Sequence, residues 1–300
     1  SGTWTINAAA PTYTGNTTIN AGVLYAGSAG AITGGLGTTS NAGSHPTYVV
    51  PTPMSSLIVL NGGVLGLTNA SGDFTRGLTT AVRSFSDNGT VGVGNRADDR
   101  FIQGVNWTAG GGFAALGGDR LVNIGGAGAA LTWNTGGFVP GSQALMFSHA
   151  SADSMVSFLN PIAFAGSVRA VDVADGSAAV DAELRGVLSG AGASGLQKLG
   201  NGTLALTANN TYAGATQVNA GTLKIGNGGA TGTLGSGNVT IASGATLAFD
   251  RNNAYTATQA ISGTGKLAQR GSGTTTLTGA DAVGTIEVAS GTLDVDNSLH

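Results

Sequence analysis

Residues 200–226 read Gly200-Asn201-Gly202-Thr203-Leu204-Ala205-Leu206-Thr207, then Ala208-Asn209-Asn210-Thr211-Tyr212-Ala213-Gly214, then Ala215-Thr216-Gln217-Val218-Asn219-Ala220-Gly221-Thr222-Leu223-Lys224-Ile225-Gly226. Two short clusters alternate apolar and polar residues, Leu204/Leu206 and Leu223/Ile225. Period two means a strand with one buried face. Gly, Asn and Ala fill the space between the clusters, and glycine and asparagine supply the left-handed backbone that tight turns need. A four-residue strand cannot bury its face alone. It needs a neighbour of the same kind stacked on it.

Such neighbours occur along the chain. Leu204, Leu223, Leu247 and Leu267 follow one another at the interval of a single solenoid coil. With coils ~4.8 Å apart, each leucine rests on its counterparts above and below. At roughly 1.5–3 kcal/mol per buried Leu or Ile, that ladder is the main stabilising term expected. The N-terminus repeats the unit: Ser1-Gly2-Thr3-Trp4-Thr5-Ile6, then Thr12-Tyr13-Thr14-Gly15, then Thr17-Thr18-Ile19-Asn20-Ala21-Gly22-Val23-Leu24. A looser copy closes the chain, Gly271-Ser272-Gly273-Thr274-Thr275-Thr276-Leu277-Thr278 and Thr285-Ile286-Glu287-Val288-Ala289-Ser290-Gly291-Thr292-Leu293-Asp294-Val295.

Three stretches of one solenoid follow: regular coils in 1–39, less regular coils with larger loops in 40–195, and regular coils in 196–300. Residues 40–56, with His45-Pro46 and Pro51-Thr52-Pro53, read as an irregular excursion. No long segment carries helical periodicity with caps. About fourteen coils are expected, a rod on the order of 65 Å long. The chain opens and closes inside a repeat with no helical or charged cap. The expected partners are therefore a continuation of a longer solenoid or a second copy stacked end to end.

Composition narrows the function classes. Of 300 residues 53 are glycine, and only 9% are charged. Yet 41% are hydrophobic, too many for a chain that cannot fold. No apolar run approaches the ~18 residues of a membrane span. Cysteine is absent, which removes disulfides and thiolate metal sites. A net charge of −3 with scattered Lys and Arg argues against nucleic acid.

The unit Gly-x-Gly-Thr-Leu-x-Leu-Thr-x-x-Asn-Thr-Tyr-x-Gly, followed by Val-Asn-Ala-Gly-Thr-Leu-x-Ile-Gly, resembles the autotransporter-associated β-strand repeat, also called the passenger-associated transport repeat. Residues 200–226 match almost throughout. Residues 1–25 match with Trp4 in a leucine position, and residues 271–295 match without the tyrosine turn. The resemblance implies a right-handed parallel β-helix, a large bacterial surface or secreted protein, and no enzyme activity.

The sequence offers no catalytic, cofactor or metal residues to commit to. His45, His149 and His300 are far apart and lack partners at metal spacing. Gly190-Ala191-Gly192-Ala193-Ser194-Gly195 fits a dinucleotide fingerprint in letters only, because Leu196-Gln197-Lys198-Leu199 reads as a strand where a helix is required. Asp98, Asp99, Asp119, Asp172, Asp175, Asp181 and Glu183 stand beside Arg96, Arg100, Arg120, Arg169 and Arg185. Surface ion pairs are the first reading, calcium the second, and general acid–base work of a polysaccharide lyase or hydrolase the third. Trp107, Trp133, Phe113, Phe138 and Tyr48 read as core, with sugar stacking as the alternative. Asn-x-Ser/Thr triplets such as those at Asn88 and Asn106 follow from composition. The expectation is a structural or adhesive surface element, with a carbohydrate-binding passenger as the competing reading and a surface polysaccharide as its partner.

Overall fold

The computed structural model describes residues 2–7, 16–28, 31–32, 56–78 and 103–296. All regular elements among them are strands. They stack in three columns, and every pairing between named strands is parallel. The first column runs Thr3–Ile6, Val23–Ala26, Val64–Thr68, Gly111–Leu116, Leu145–Phe147, Arg169–Val173, Leu196–Leu199, Thr216–Val218 and Val239–Ile241. It ends on the opening residues of two long strands, Ile261–Gln269 and Ala282–Val288.

The second column runs Arg120–Val122, Val156–Phe158, Ala182–Leu184, Thr203–Leu206, Thr222–Ile225 and Thr246–Phe249, then the closing residues of the same two long strands. The corner between the columns lies inside those strands, where the register shifts between Gly263 and Lys266. The third column consists of three short sheets: Thr17–Ile19 with Ser56–Leu60 and Gln103–Trp107; Leu131–Thr132 with Ile162–Ala163 and Leu188–Ser189; Tyr255–Ala257 with Thr274–Leu277 and Thr292–Val295. Backbone bonds such as Thr211 N–H to Leu188 O (2.9 Å) and Ser236 N–H to Tyr212 O (2.9 Å) carry the stack between the last two sheets. The chain is an all-β parallel solenoid with three faces.

The predicted leucine ladder is present residue for residue. Leu204 pairs with Leu223, Leu223 with Leu247, and Leu247 with Leu267. All four are 0% exposed. A second inward line runs Val122, Phe158, Leu184, Leu206, Ile225, Phe249 and Gln269. One hydrophobic core threads the stack from Ile19 to Leu277. In the middle coils aromatic rings fill it. Phe113, Trp107, Phe138, Trp133, Phe164 and Tyr212 contact one another in sequence at 5.3–6.1 Å between centroids.

The coil number among the described residues is smaller than the sequence suggests. Among the described residues the first column holds eleven strands, hence ten steps and a stack of about 48 Å at ~4.8 Å per step. The middle uses more chain per coil, because Val23 pairs with Val64 and Val64 with Gly112. Later steps, as from Lys198 to Val218 or Gly263 to Val283, use less than half as much chain. Most of residues 40–56 lie outside the described residues.

The three repeat copies share one local geometry on three different faces. Thr3 pairs with Val23 in the first column, Thr203 with Thr222 in the second, and Thr274 with Thr292 in the third. Trp4/Leu24, Leu204/Leu223 and Thr275/Leu293 are the matching positions of the motif. The motif therefore specifies how one strand stacks on the next, and not which face it occupies.

Candidate functional site

The aromatic residues singled out in the sequence belong to the core. Trp107, Trp133, Phe113 and Phe138 are at most 3% exposed. Trp107 Nε1 donates to Gly111 O at 2.9 Å. None of the four offers a ring to a sugar, and Tyr48 lies outside the described residues.

The ion-pair reading of the acidic group is correct only in part. Arg185 meets Glu183 at 3.9 Å, but Arg120 meets Asp73 rather than Asp119. Asp119 instead accepts from Met155 N–H at 2.8 Å. Arg169 turns away from Asp172: its Nε donates to Phe164 O (2.7 Å), its Nη1 to Gly141 O (2.6 Å), and it lies over the Trp133 ring. Asp181 is 1% exposed. It accepts from Gly176 N–H and Thr203 N–H, both at 2.8 Å, and from the Ser148 hydroxyl. These are carboxylates and guanidinia that satisfy buried backbone groups at turns. Asp98, Asp99, Arg96, Arg100, His45 and His300 lie outside the described residues. His149 shares a hydrogen bond with Ser151. The glycine-rich stretch 190–195 leads into the strand Leu196–Leu199. Among the described residues no group of three or more His, Asp or Glu could hold a metal ion.

The same use of polar side chains recurs inside the repeats. Lys198 occupies an inward place between Val171 and Val218 and is 0% exposed. Its ammonium donates to Leu199 O (2.8 Å), Gly200 O (2.7 Å) and Ala220 O (3.2 Å). Burial pulls its pKa down to about 8, opposed by the charges of Asp172, Asp181 and Asp175. Gln269 takes the equivalent place in the last copy, donating from Nε2 to Gly271 O (2.9 Å) and Gly273 O (3.1 Å).

A concave surface lies where the second face turns toward the third. A groove of about 330 Å³ is lined by Glu183, Arg185, Thr207, Asn227, Gly229 and Thr231. Its floor comes from two successive coils: Glu183 lies on the strand Ala182–Leu184, and Thr207 follows the strand Thr203–Leu206. Its wall is the loop after Thr222–Ile225. That wall is held from the next coil. Arg251 Nη1 donates to Gly232 O (2.6 Å) and Nη2 to Ala230 O (2.7 Å), while the guanidinium stacks on Tyr255. Asn252 N–H donates to Gly229 O at 3.0 Å.

Two of the groove's own polar groups, Glu183 and Asn227, are also held in place. The Ser157 hydroxyl donates to Glu183 Oε2 at 2.9 Å, and Arg185 approaches the same oxygen. Lys224 Nζ donates to Asn227 Oδ1 at 2.8 Å and pairs with Asp250 at 2.7 Å. Glu183 and Arg185 were visible as candidates in the sequence; Asn227, Thr207 and Thr231 were not. The available signal was the run Gly226-Asn227-Gly228-Gly229 directly after a ladder strand, a loop rich in left-handed backbone.

Comparison with known proteins bears on what such a stack belongs to. The model of the passenger-associated-transport-repeat family matches residues 1–26, 196–225 and 267–295. The adhesin BmaC autotransporter of Brucella suis biovar 1 (strain 1330) is 46% identical over 77 residues. That match covers 26% of this chain and 2% of the relative, so the chain corresponds to a small part of that protein's length. No solved structure matches the chain.

Proposed function

We propose that this chain is a rod-forming stretch of a bacterial passenger protein, secreted or held at the cell surface, with a structural or adhesive role. The observation that carries the reading is the repeat itself. The three segments matched by the family model adopt one stacking register on three faces of a single column of coils. A unit that stacks on itself whatever the face is a rod-building unit. The relative's printed description as an adhesin supports the adhesive side of the reading. Beads coated with the folded chain should adhere to host cells or extracellular matrix, and beads coated with heat-unfolded chain should not. Equal retention of both would remove the adhesive role and leave only the structural one.

At the outermost coils the reading extends to a stacking partner. Ile286 and Val288 continue inward lines that are 0% exposed at Leu267 and Gln269, yet they are 37% and 54% exposed. Trp4, on the first strand of the first column, is 73% exposed. A further coil stacked on either edge would bury these side chains and extend the backbone pairing. That coil belongs to a longer chain or to a second copy. Negative-stain microscopy at rising concentration separates the two. Filaments support self-association, and monodisperse short particles leave continuation of the solenoid.

A further inference from the structure

The geometry points to the groove of Glu183, Arg185, Thr207, Asn227 and Thr231 as a binding site for a neutral glycan. The inference rests on the adhesive reading and supplies it with a ligand class. At about 330 Å³ the groove is at the small end of ligand pockets, ~300–1,000 Å³, a size suited to one or two sugar rings. Most such pockets are lined by apolar and aromatic side chains. This one is lined by a carboxylate, a guanidinium, a carboxamide and two hydroxyls, with no apolar side chain among them. A ligand rich in hydroxyls is complementary to such a lining.

Charge selects among such ligands. Glu183 and Arg185 stand within 3.9 Å of each other and cancel. Lys224, the next cation, is engaged by Asp250 and Asn227. Among the described residues no unbalanced positive charge lines the groove to attract a uronic acid or a sulfated sugar, so a neutral sugar is favoured. The donors and acceptors are complementary to a diol. Glu183 uses Oε2 for both Ser157 and Arg185, which leaves Oε1 to accept from a sugar hydroxyl. Asn227 receives Lys224 on Oδ1, which leaves its amide N–H groups to donate. Glu183 and Asn227 are each held by a neighbour before a ligand arrives, which lowers the entropy cost of binding. The wall loop is pinned by Arg251 in the same way.

The test is an array of neutral and acidic glycans probed with the whole chain, followed by titration of the best neutral oligosaccharide. Binding to a neutral glycan is expected. A loss of tenfold or more is expected in Asn227→Ala and in Glu183→Gln, and unchanged binding in Gln217→Ala, a variant on the first face. Glu183→Gln can still accept from Ser157, so it guards against a folding artefact in the first variant. Absence of any neutral ligand at millimolar concentration, a preference for acidic glycans, or binding indifferent to both groove variants would overturn the inference. If coated beads still adhere with Asn227→Ala while the array is blank, the groove assignment falls and the adhesive reading stands.

Discussion

Lys198 is a cation placed in a line that carries Val171, Val218 and Ile241 in neighbouring coils. Its three N–H groups answer three carbonyls at the turn, which only the ammonium can do fully. Because burial lowers its pKa to about 8, the folded chain sheds this proton before the unfolded chain does. Between pH 8 and 10 the unfolded state therefore holds more protons, and stability rises with pH. The gain is on the order of 2–3 kcal/mol at ~1.4 kcal/mol per unit. Above that window Tyr25, Tyr212 and Tyr255, whose pKa values burial raises, act in the opposite direction. Urea titrations at pH 8, 9 and 10 should show the rise. Lys198→Gln, which installs the residue that the last copy uses at this place, should flatten it while keeping the fold.

Asp281 occupies the place that Asn210 holds one copy earlier. Asn210 Oδ1 accepts from Leu188 N–H (2.8 Å), and its Nδ2 donates to Thr233 O (2.7 Å). Asp281 Oδ1 accepts from Ile261 N–H (2.8 Å), but its buried Oδ2 has no partner. Burial raises its pKa, so the folded state holds a proton that the unfolded state has lost. This costs stability as pH rises above the ordinary carboxylate range. Asp281→Asn should remove that slope. At pH 7 it should also stabilise the chain by about 1 kcal/mol, read as a higher Tm. A lower Tm would show that the carboxylate has a partner the geometry does not provide.

At the scale of the strand, the alternation of small clusters was legible because period two and the recurrence of leucine once per coil agree with each other. Leu223 stands between Leu204 and Leu247 with 0% exposure. Leu223→Ala should cost about 2–5 kcal/mol in a denaturant titration, whereas the outward Thr240→Ala on a neighbouring strand should cost less than about 1 kcal/mol. The turn before Leu223 is equally demanding. Gly221 has φ +61°, and a Cβ there would lie 2.5 Å from Gly202 O. Gly221→Ala should therefore destabilise by more than the ~1 kcal/mol of backbone strain alone.

The chemistry between strands was less legible than the strands. Composition placed Arg169 beside Asp172 and Arg120 beside Asp119, but sequence neighbours on a solenoid project to different surfaces. The partners come from the coils above and below, as with Asp181 and Thr203 or Arg251 and Gly232. The groove is assembled the same way from three coils. Lys198 was equally hidden. Leu196 and Leu199 have opposite parity in Leu196-Gln197-Lys198-Leu199, and only the pairing with Val171 and Val218 places the lysine on the inward line.

At the scale of the whole molecule, spacing at the regular ends gives more coils than the described residues hold. It could not show that a middle coil, such as the one from Val64 to Gly112, spends more than twice the chain of a regular one. Nor could it show that the three repeat copies sit on three faces, since that depends on how many strands intervene. The central claim is that residues far apart in sequence are stacked in register at one coil per ~4.8 Å. Ala170, Gln197, Gln217, Thr240 and Ser262 form one such line on the first face. The chain has no cysteine, so nitroxide labels attach only where one is introduced. One label is placed at Ser262 and the second at Gln217, Gln197 or Ala170, which lie two, three and four coils away. Electron paramagnetic resonance should give narrow distances of about 10, 14 and 19 Å, growing by one coil step each time. Broad distributions, or distances that follow sequence separation instead of coil number, would contradict the parallel stack and the rod built on it.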